Sequence, residues 1–514
     1  MFLLVVAVYA VVLGVVGDQL ATQLPDPYMD EIFHVPQARR YCAGNFSEWD
    51  AKITTLPGLY LFSVGLLDPV AKVSGLVTAG EQKSSLLLDI CSTKMLRSIN
   101  LVMSLINLVL LYTITSHLHG LKVFKIVKFL LHIHCHCNLS HFQDGYSEVL
   151  GVWSSVNMSL CPVLYFYSYL YYTDQAATAM VLLTLCLHLA GRDWLASFTG
   201  VLAVLCRQTN IVWVFLCGAT AAGHILVTEV RGFHSHHVLM FDLFQIRLHQ
   251  ATTKHPPTIS LTTAGQLREL GIGVADLVRG HTWKLMRVLG LALVRCGGYV
   301  LVGLGFLSFV HLNNGVVVGD RSAHVATCHL TQLAYFAAFF SALTLPFAVK
   351  HIPDFLTFAR QNLWKVVLVS LVMVLVIHFN TLAHPYLLAD NRHYTFYIWR
   401  KIFMRHWTVK YLLTPIYLFG FYHICQSLVK SDLIFKLVLP LCVTMNVVPQ
   451  LLLEFRYFIL PHLLVRAQIK PNCWKSLAIE TVMLISVNFV TLYMFLYKPF
   501  QWDHQPDDQQ RFMW

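Results

Sequence analysis

The chain has 514 residues, of which 56% are hydrophobic and 12% are charged, and its mean hydropathy is +0.60. A soluble globular chain carries about 25% charged residues, so this composition excludes that class and indicates a polytopic membrane protein. The formal net charge of +11 does not predict nucleic-acid binding. The basic residues are scattered over short loops between apolar segments, as the positive-inside rule describes.

Apolar segments recur along the whole chain, near the length of about 20 residues that a membrane-crossing helix needs. They leave no room for a separate soluble domain, so we expect one all-α membrane domain over residues 1–514. We interpret the first segment as a retained span, with a cleaved signal peptide as the alternative. The apolar segments lie near residues 2–20, 58–78, 95–117, 146–170, 175–190, 194–206, 208–228, 286–311, 325–349, 364–383, 411–427, 433–452 and 476–498.

The second apolar segment, 58–78, contains Gly65, Asp68 and Pro69. Glycine and proline disrupt helices, so we expect two short helices at the membrane surface here rather than a crossing span. About twelve transmembrane helices then remain. Residues 21–78 form a first loop with re-entrant or juxtamembrane helices.

The basic loops orient the chain, since Lys and Arg near the ends of spans tend to stay cytoplasmic. Loops of this kind lie near 122–128, 229–285 and 350–365, and they share one side with the N-terminus. The opposite side, which we interpret as lumenal, holds the loop 21–78. It also holds the loop 383–410, which carries five basic residues against the trend. An anionic substrate is one explanation, and an error of one span in the topology is the other.

The first loop carries adjacent carboxylates, Asp30 and Glu31, with His34 about one helical turn further on. A carboxylate placed just outside the bilayer suits a general base. The alternative is a solvated interfacial loop whose acids merely follow the first span. The same loop contains an N-glycosylation sequon at Asn45, which agrees with a lumenal side.

Two later loops place an arginine beside an aspartate and a histidine. Arginine forks match phosphate oxygens, and a neighbouring aspartate can orient the fork, so both loops suit a phosphate or pyrophosphate group. The alternative is an ion pair that ties two loops together. The residues are Asp320, Arg321 and His324 in one loop, and Asp390, Arg392, His393 and Tyr394 in the other.

Further polar residues lie at the edges of apolar segments, as Glu454 with Arg456 and as Arg207 with Gln208. Charged groups at membrane depth are costly, which makes a function the default interpretation. These residues are therefore candidates for substrate binding. The alternative for Glu454 and Arg456 is an internal ion pair.

The cysteine and histidine patterns predict neither a disulfide framework nor a metal site. Most of the thirteen cysteines stand singly in apolar runs, where they behave as small hydrophobes. The run HIHCHC at 132–137 would place its ligand atoms on opposite sides of a helix or strand, which disfavours metal binding. Nucleotide-binding loops and common hydrolase motifs are absent from the sequence, so we expect no cofactor.

Seven stretches resemble, in the same order, the endoplasmic-reticulum α-1,2-glucosyltransferases that use dolichyl-phosphate glucose. They extend over about residues 25–465 and read YMDEIFHVPQARRYC, ITTLPGLY, LYFYSYLYYTD, RQTNIVWVF, NNGVVVGDRSAH, LADNRHYTFYIWRK and LEFRYFILP. The resemblance implies a GT-C type glycosyltransferase whose first lumenal loop carries a catalytic acid. Residues 122–146 and the loop 229–285 match this family less well.

The resemblance also implies the reaction. Glucose passes from dolichyl-phosphate glucose to the diglucosylated high-mannose oligosaccharide on dolichyl diphosphate, with inversion and an α-1,2 linkage, as the last step of lipid-linked oligosaccharide assembly. The site would face the lumen of the endoplasmic reticulum and need no metal. We expect Asp30 rather than Glu31 to be the base. The candidates for binding the donor phosphate are Arg321, Arg392 and Arg456, assisted by His324 or His393.

Two rival interpretations remain at this point. One is a different GT-C sugar transferase, because sugar identity comes only from the family stretches. The other is a membrane transporter or channel-associated protein, which the composition alone would allow. Transporters usually have two related halves with polar groups at the midplane. In this sequence the polar groups gather on one predicted face and no internal repeat is visible.

Overall fold

A computed structural model describes residues 1–75, 90–121, 145–228, 282–321 and 326–514, with scattered positions between 265 and 275. Within these ranges the fold is mainly helical, with one small antiparallel sheet near the C-terminus. An all-α membrane architecture is therefore confirmed. The run 132–137, most of the loop 229–285 and His324 lie outside the described residues.

The helices and strands follow one another in two groups along the chain. The first group contains α1 (Phe2–Gln23), α2 (Glu31–Cys42), α3 (Gly58–Gly75), α4 (Thr93–His119), α5 (Gly145–Ser159), α6 (Pro162–Phe166), α7 (Thr173–Leu189), α8 (Asp193–Cys206) and α9 (Gln208–Thr228). The second contains α10 (Thr282–Leu312), α11 (Thr331–Leu343), α12 (Leu345–Gln361), α13 (Leu363–Asn380), α14 (Pro385–Ala389), α15 (Tyr394–Ile398), α16 (Val409–Leu412), α17 (Thr414–Leu428), α18 (Leu433–Val447), α19 (Ile459–Arg466), α20 (Trp474–Tyr497), β1 (Phe500–Trp502) and β2 (Gln505–Gln510).

Over the described residues, six helices are long and apolar enough to cross a membrane, namely α1, α4, α9, α10, α13 and α20. A seventh span would need α11 and α12 together, which are bent by 88°. The chain is a multi-pass membrane protein, but the expected twelve spans are not confirmed. The apolar segments near 175–190, 194–206 and 433–452 form α7, α8 and α18, which have only 17, 14 and 15 residues.

The prediction of two short helices over 58–78 is wrong, because α3 runs without a break to Gly75 and contains Pro69. Gly58 begins the helix instead of interrupting it. A Cβ at Gly58 would lie 2.5 Å from the carbonyl carbon of Leu205, so only glycine allows this close approach to the end of α8. Tyr60 in the first turn is fully buried and anchors α3.

A run of buried tyrosines extends from α6 to the start of α7 and belongs to the main hydrophobic core. Asn100 on α4 holds this run, since its Nδ2 donates to the carbonyl oxygens of Leu170, at 2.6 Å, and Tyr172, at 2.8 Å. Asn100 therefore fixes this run, called the tyrosine floor below, and the Tyr172 hydroxyl of the run contacts Asp30 just before α2. Its tyrosines, all 5% exposed or less, are Tyr165, Tyr167, Tyr169, Tyr171 and Tyr172.

A disulfide joins Cys42, at the end of α2, to Cys91, just before α4. The sequence predicts no disulfide framework, and for this pair that prediction is wrong. Of the nine free cysteines in the described residues, six are buried, whereas Cys42 and Cys91 come together through the packing of α2 against the start of α4. The bridge ties α2 to α4 across the first loop.

Candidate functional site

The site begins at the turn before α2. Met29 has a positive φ of 55°, and Asp30 is the residue before the first turn of α2. The backbone N–H of Asp30 donates to the Tyr172 hydroxyl at 3.1 Å. The Asp30 side chain is 45% exposed, and its Oδ2 lies 3.8 Å from Nη1 of Arg456. The turn thus presents an accessible carboxylate beside a cation.

Glu31, the adjacent acid, lies in a different environment. Its side chain is fully buried, and it accepts two hydrogen bonds from Arg97, from Nε at 2.9 Å and from Nη2 at 2.6 Å. The backbone N–H groups of Tyr28 and Tyr171 donate to the same carboxylate at 3.0 and 2.6 Å. Arg97 also donates to the carbonyl oxygen of Asp26 at 2.9 Å. Glu31 therefore holds the loop onto α4 and the tyrosine floor.

His34 lies one turn into α2, and its Nδ1 is 2.6 Å from the Tyr60 hydroxyl. Burial lowers the pKa of His34, although the negative charge of Asp30 acts in the opposite direction. The imidazole is therefore neutral near pH 7. The bond between His34 and Tyr60 links α2 to α3 one helical turn after Asp30.

Arg456 is the cation at the centre of the site. It belongs to a short 3₁₀ helix, Phe455–Phe458, and pairs with Glu454. Its Nη1 also lies 3.7 Å from Oδ2 of Asp174. Burial would lower the pKa of Arg456, but the neighbouring negative charges, Glu454 foremost, raise it well above its usual value. The structure thus brings Arg456 together with Asp30 from the opposite end of the chain.

Two tyrosines of the floor lie beneath this guanidinium. The Arg456 guanidinium carbon is 5.2 Å from the ring centroid of Tyr167 and 5.5 Å from that of Tyr172. Cation–π contacts of this kind stabilise a desolvated arginine. These contacts also hold the guanidinium in place, with the Asp30 carboxylate 3.8 Å from its Nη1.

Asp174 is a functional candidate that the sequence analysis did not nominate. Its side chain is 1% exposed at the start of α7, and Nη1 of Arg207 approaches its Oδ1 at 3.1 Å. Asp174 therefore lies between two guanidiniums, those of Arg207 and Arg456. The sequence does contain a signal for Asp174. A carboxylate at the start of an apolar segment is energetically costly at membrane depth, which makes a function the default interpretation.

The two arginines line a small recess with a cavity volume of about 20 Å³. Gln208, the neighbour of Arg207, does not line it, since its Nε2 donates to the Thr54 carbonyl oxygen at 2.9 Å and secures the first loop. A recess of this volume has room for about one water molecule. Its polar lining includes Asp174, Thr178, Arg207, Asn210, Asn446 and Arg456.

Asp320 and Arg321 lie in the loop that follows α10. Arg321 donates to the carbonyl oxygens of Asn314, at 2.9 Å, and Val317, at 3.2 Å, and so caps its own loop. Lys52 approaches Asp320 at 3.2 Å. These contacts correspond to the alternative interpretation, in which the pair ties two loops together.

Arg392 and Asp390 form a two-point ion pair, with Nε to Oδ1 and Nη2 to Oδ2 both at 2.8 Å. The remaining Arg392 nitrogen, Nη1, donates to Oε1 of Gln510 at 3.2 Å, and Trp502 stacks 4.9 Å from the guanidinium. Burial would raise the pKa of Asp390, but the hydrogen bonds from Arg392 lower it overall. The fork of Arg392 is thus occupied by the protein itself.

His393 and Tyr394 contact the end of the described chain. Nδ1 of His393 lies 2.9 Å from the main-chain oxygen of Trp514. The Tyr394 ring meets the Trp514 ring edge-on at 5.1 Å, and burial raises the pKa of Tyr394 to about 12. Both residues therefore hold the segment after β2, which the sequence analysis did not include in the site.

Comparison with known proteins adds a second line of information. A sequence model of the DIE2/ALG10 family matches residues 24–467. A human protein named Dol-P-Glc:Glc(2)Man(9)GlcNAc(2)-PP-Dol alpha-1,2-glucosyltransferase is 35% identical over 96% of this chain and 94% of its own length. Proteins of the same name from mouse and Arabidopsis thaliana are 37% and 33% identical over 96% of this chain, and over 94% and 95% of their own lengths. No solved structure matches the chain.

Proposed function

The chain belongs to the DIE2/ALG10 family, and we propose from this membership that it is a dolichyl-phosphate-glucose α-1,2-glucosyltransferase. It transfers glucose to the diglucosylated high-mannose oligosaccharide on dolichyl diphosphate. The names of the relatives supply the donor, the acceptor and the linkage. The resemblance of the seven sequence stretches points to the same reaction.

The observation that carries the mechanism is the accessible carboxylate of Asp30 beside the recess that Arg456 lines. In our proposal Asp30 accepts the proton from the acceptor 2-hydroxyl as that oxygen bonds to the anomeric carbon of glucose. The bond from that carbon to the phosphate oxygen breaks, and dolichyl phosphate leaves with the electron pair. One displacement from the opposite face inverts the anomeric configuration, and one base suffices.

We propose that Arg456 and Arg207 bind the donor phosphate. Both forks point toward Asp174, which keeps two cations close together before the anion arrives. Fixed cations at the leaving phosphate stabilise the charge that develops in the transition state. Arg392 and Arg321 rank lower in this proposal because neither lines the recess; Arg392 pairs with Asp390, and Arg321 donates to carbonyls of its own loop.

Glu31 and His34 act in this proposal by positioning Asp30 and not as proton acceptors. The carboxylate of Glu31 already accepts four hydrogen bonds, which leaves it no access to substrate. His34 is directed to Tyr60. Asp30 is thus our choice for the general base among the three residues.

We place the enzyme in the endoplasmic-reticulum membrane as a GT-C type protein with the site facing the lumen. Two features of the first loop support this orientation. The loop contains Cys42, whose disulfide with Cys91 suits an oxidising compartment, and it contains the sequon at Asn45. If the shorter apolar helices α7, α8 and α18 also cross, they bring the six long spans of the described residues to nine, and the bent pair α11 and α12 would make ten, near the expected twelve.

The test is glucosyl transfer by the purified, reconstituted protein from dolichyl-phosphate glucose. Acceptors carrying zero, one, two or three glucoses are offered in parallel. We expect product from the two-glucose acceptor alone, with an α-1,2 linkage. Product from another acceptor would assign a different sugar-transfer step. No product from any acceptor would contradict the enzyme assignment and favour the transporter class.

A further inference from the structure

The segment Arg511–Trp514, called the tail below, follows β2 and returns to the protein. Arg511 anchors it: the side chain is 5% exposed, and Nη1 donates to the carbonyl oxygens of Phe495 and Leu496 at 2.8 and 2.9 Å. These are among the last carbonyls of α20, which have no partner within the helix. The tail is therefore fixed to a transmembrane helix. It lies beyond residue 467, where the family match ends.

The tail first contacts the loop that carries Asp30. The hydroxyl of Tyr28 accepts a hydrogen bond from the backbone N–H of Arg511 at 2.8 Å and donates one to the carbonyl oxygen of Arg511 at 3.2 Å. The Tyr28 ring packs edge-on against Phe495 at 5.7 Å. One hydroxyl, two residues before Asp30, thus attaches the Asp30 loop to the tail.

The tail next contacts the loop that carries Arg392, through the backbone. The N–H of Met513 donates to the carbonyl oxygen of Arg392 at 2.9 Å, and the N–H of Tyr394 donates to the carbonyl oxygen of Met513 at 3.0 Å. Met513 is 1% exposed. The tail and the loop are therefore paired like two short strands.

The third contact is with the surroundings of Arg456. The Tyr167 hydroxyl donates to the main-chain oxygen of Trp514 at 2.8 Å, and the Trp514 ring lies 5.7 Å from the ring of Phe455. Tyr167 supports the Arg456 guanidinium, and Phe455 directly precedes it. The tail thus contacts two residues that adjoin the Arg456 guanidinium or its backbone.

We propose that the tail is a positioning element for glucosyl transfer. By binding Tyr28, the Arg392 loop and Tyr167 at once, it sets the distance between the base Asp30 and the cation Arg456. This inference rests on the proposed function and adds Tyr28 and Tyr167 to it as positioning residues. An error of about 1 Å in the position of a reacting group can cost about 100-fold in rate, so loosening one contact of the tail should lower kcat measurably.

The test is Tyr28→Phe, which removes one hydroxyl and keeps the ring. We expect kcat with the two-glucose acceptor to fall about tenfold while KM for both substrates changes less than twofold. Tyr167→Phe should also lower kcat. The double variant should lose less than the product of the two single effects, because both residues act through the same tail.

Tyr9→Phe is the matched control. The Tyr9 hydroxyl is also buried and bonded, to Ser104 at 3.2 Å and to the Ser159 carbonyl oxygen at 3.3 Å, but it lies on α1. The Tyr9→Phe variant should lose about as much thermal stability as Tyr28→Phe, but it should keep the wild-type kcat. A wild-type kcat in Tyr28→Phe, with the wild-type protein active, would overturn the role of the tail and leave the proposed function standing. An inactive wild-type protein would overturn the proposed function and this inference with it.

Discussion

Separate substitutions of Asp30 and Glu31 should affect different properties of the protein. The Asp30 carboxylate is 45% exposed and 3.8 Å from Arg456. Ion pairs exposed to this extent contribute about 0–1 kcal/mol to stability, so Asp30→Asn should leave the fold intact. Loss of a general base typically costs about 10²–10⁴ in rate. We therefore expect Asp30→Asn to be a stable and nearly inactive enzyme.

Glu31→Gln should mainly affect folding. Its partner Arg97 is 5% exposed and would remain buried with an uncompensated charge. Removing one member of a buried pair costs about 3–5 kcal/mol, a large fraction of a total stability of about 5–15 kcal/mol. We expect a low yield of folded Glu31→Gln protein. The molecules that do fold should retain more activity than Asp30→Asn.

The assay combines size-exclusion chromatography and thermal unfolding in detergent with initial rates on the two-glucose acceptor. The control is the double variant Glu31→Gln, Arg97→Gln. Removing both charges should recover part of the stability that Glu31→Gln loses, because no buried cation is left unpaired. A stable but inactive Glu31→Gln, together with an Asp30→Asn rate within about threefold of wild type, would refute the assignment of the base.

Further predictions concern the donor site and the first loop. Arg456→Lys keeps the charge but not the fork, so KM for dolichyl-phosphate glucose should rise about tenfold, as expected from the loss of one charged hydrogen bond; an unchanged KM would argue against phosphate binding there. Cys42→Ser opens a disulfide with a sequence separation of 49 and should cost about 2–4 kcal/mol; finding no Cys42–Cys91 peptide in unreduced digests of the wild type would contradict the bridge. Asn45→Gln should abolish one endoglycosidase-sensitive shift, and modification of position 45 by a cytoplasmic reagent would refute its lumenal placement.

Charged residues at membrane depth were the best guide to the site. A buried charge needs a partner of opposite sign, so Arg456 and Arg207 could be nominated from their positions alone. The structure supplies those partners in Glu454 and Asp174. Which partner belongs to which arginine depends on tertiary packing, for which the sequence contains no spacing signal.

The two adjacent acids illustrate the same limit. Asp30 and Glu31 differ by one methylene group and one position, and both precede or begin the same helix. Their different environments arise because a helix turns by about 100° per residue, which directs Glu31 toward Arg97 and leaves Asp30 beside the recess. Without the position of α4, the sequence could not separate a structural carboxylate from a reactive one.

The expected count of about twelve spans is not confirmed, and the reason is physical. An apolar segment can face lipid or fill the interior of a membrane protein, and composition does not distinguish the two. In α7 most residues are buried, whereas α13 has a single buried residue, Ile377. A helix that is hydrophobic on all sides is typical of a core position as well as of a span. A count of apolar segments therefore includes buried core helices as well as lipid-facing spans.

The tail could not be predicted because its hydrogen bonds to the site use its backbone groups, which every residue type has. Backbone N–H and C=O groups join Met513 to the Arg392 loop, and a backbone oxygen of Trp514 accepts from Tyr167. Such bonds leave no motif, and they can persist while the side chains change. In a site assembled in this way, the reactive side chains lie in recognisable sequence stretches. The contacts that set the distances between them lie outside those stretches. Neutral positions such as Tyr28 should therefore control kcat as strongly as some of the charged residues do.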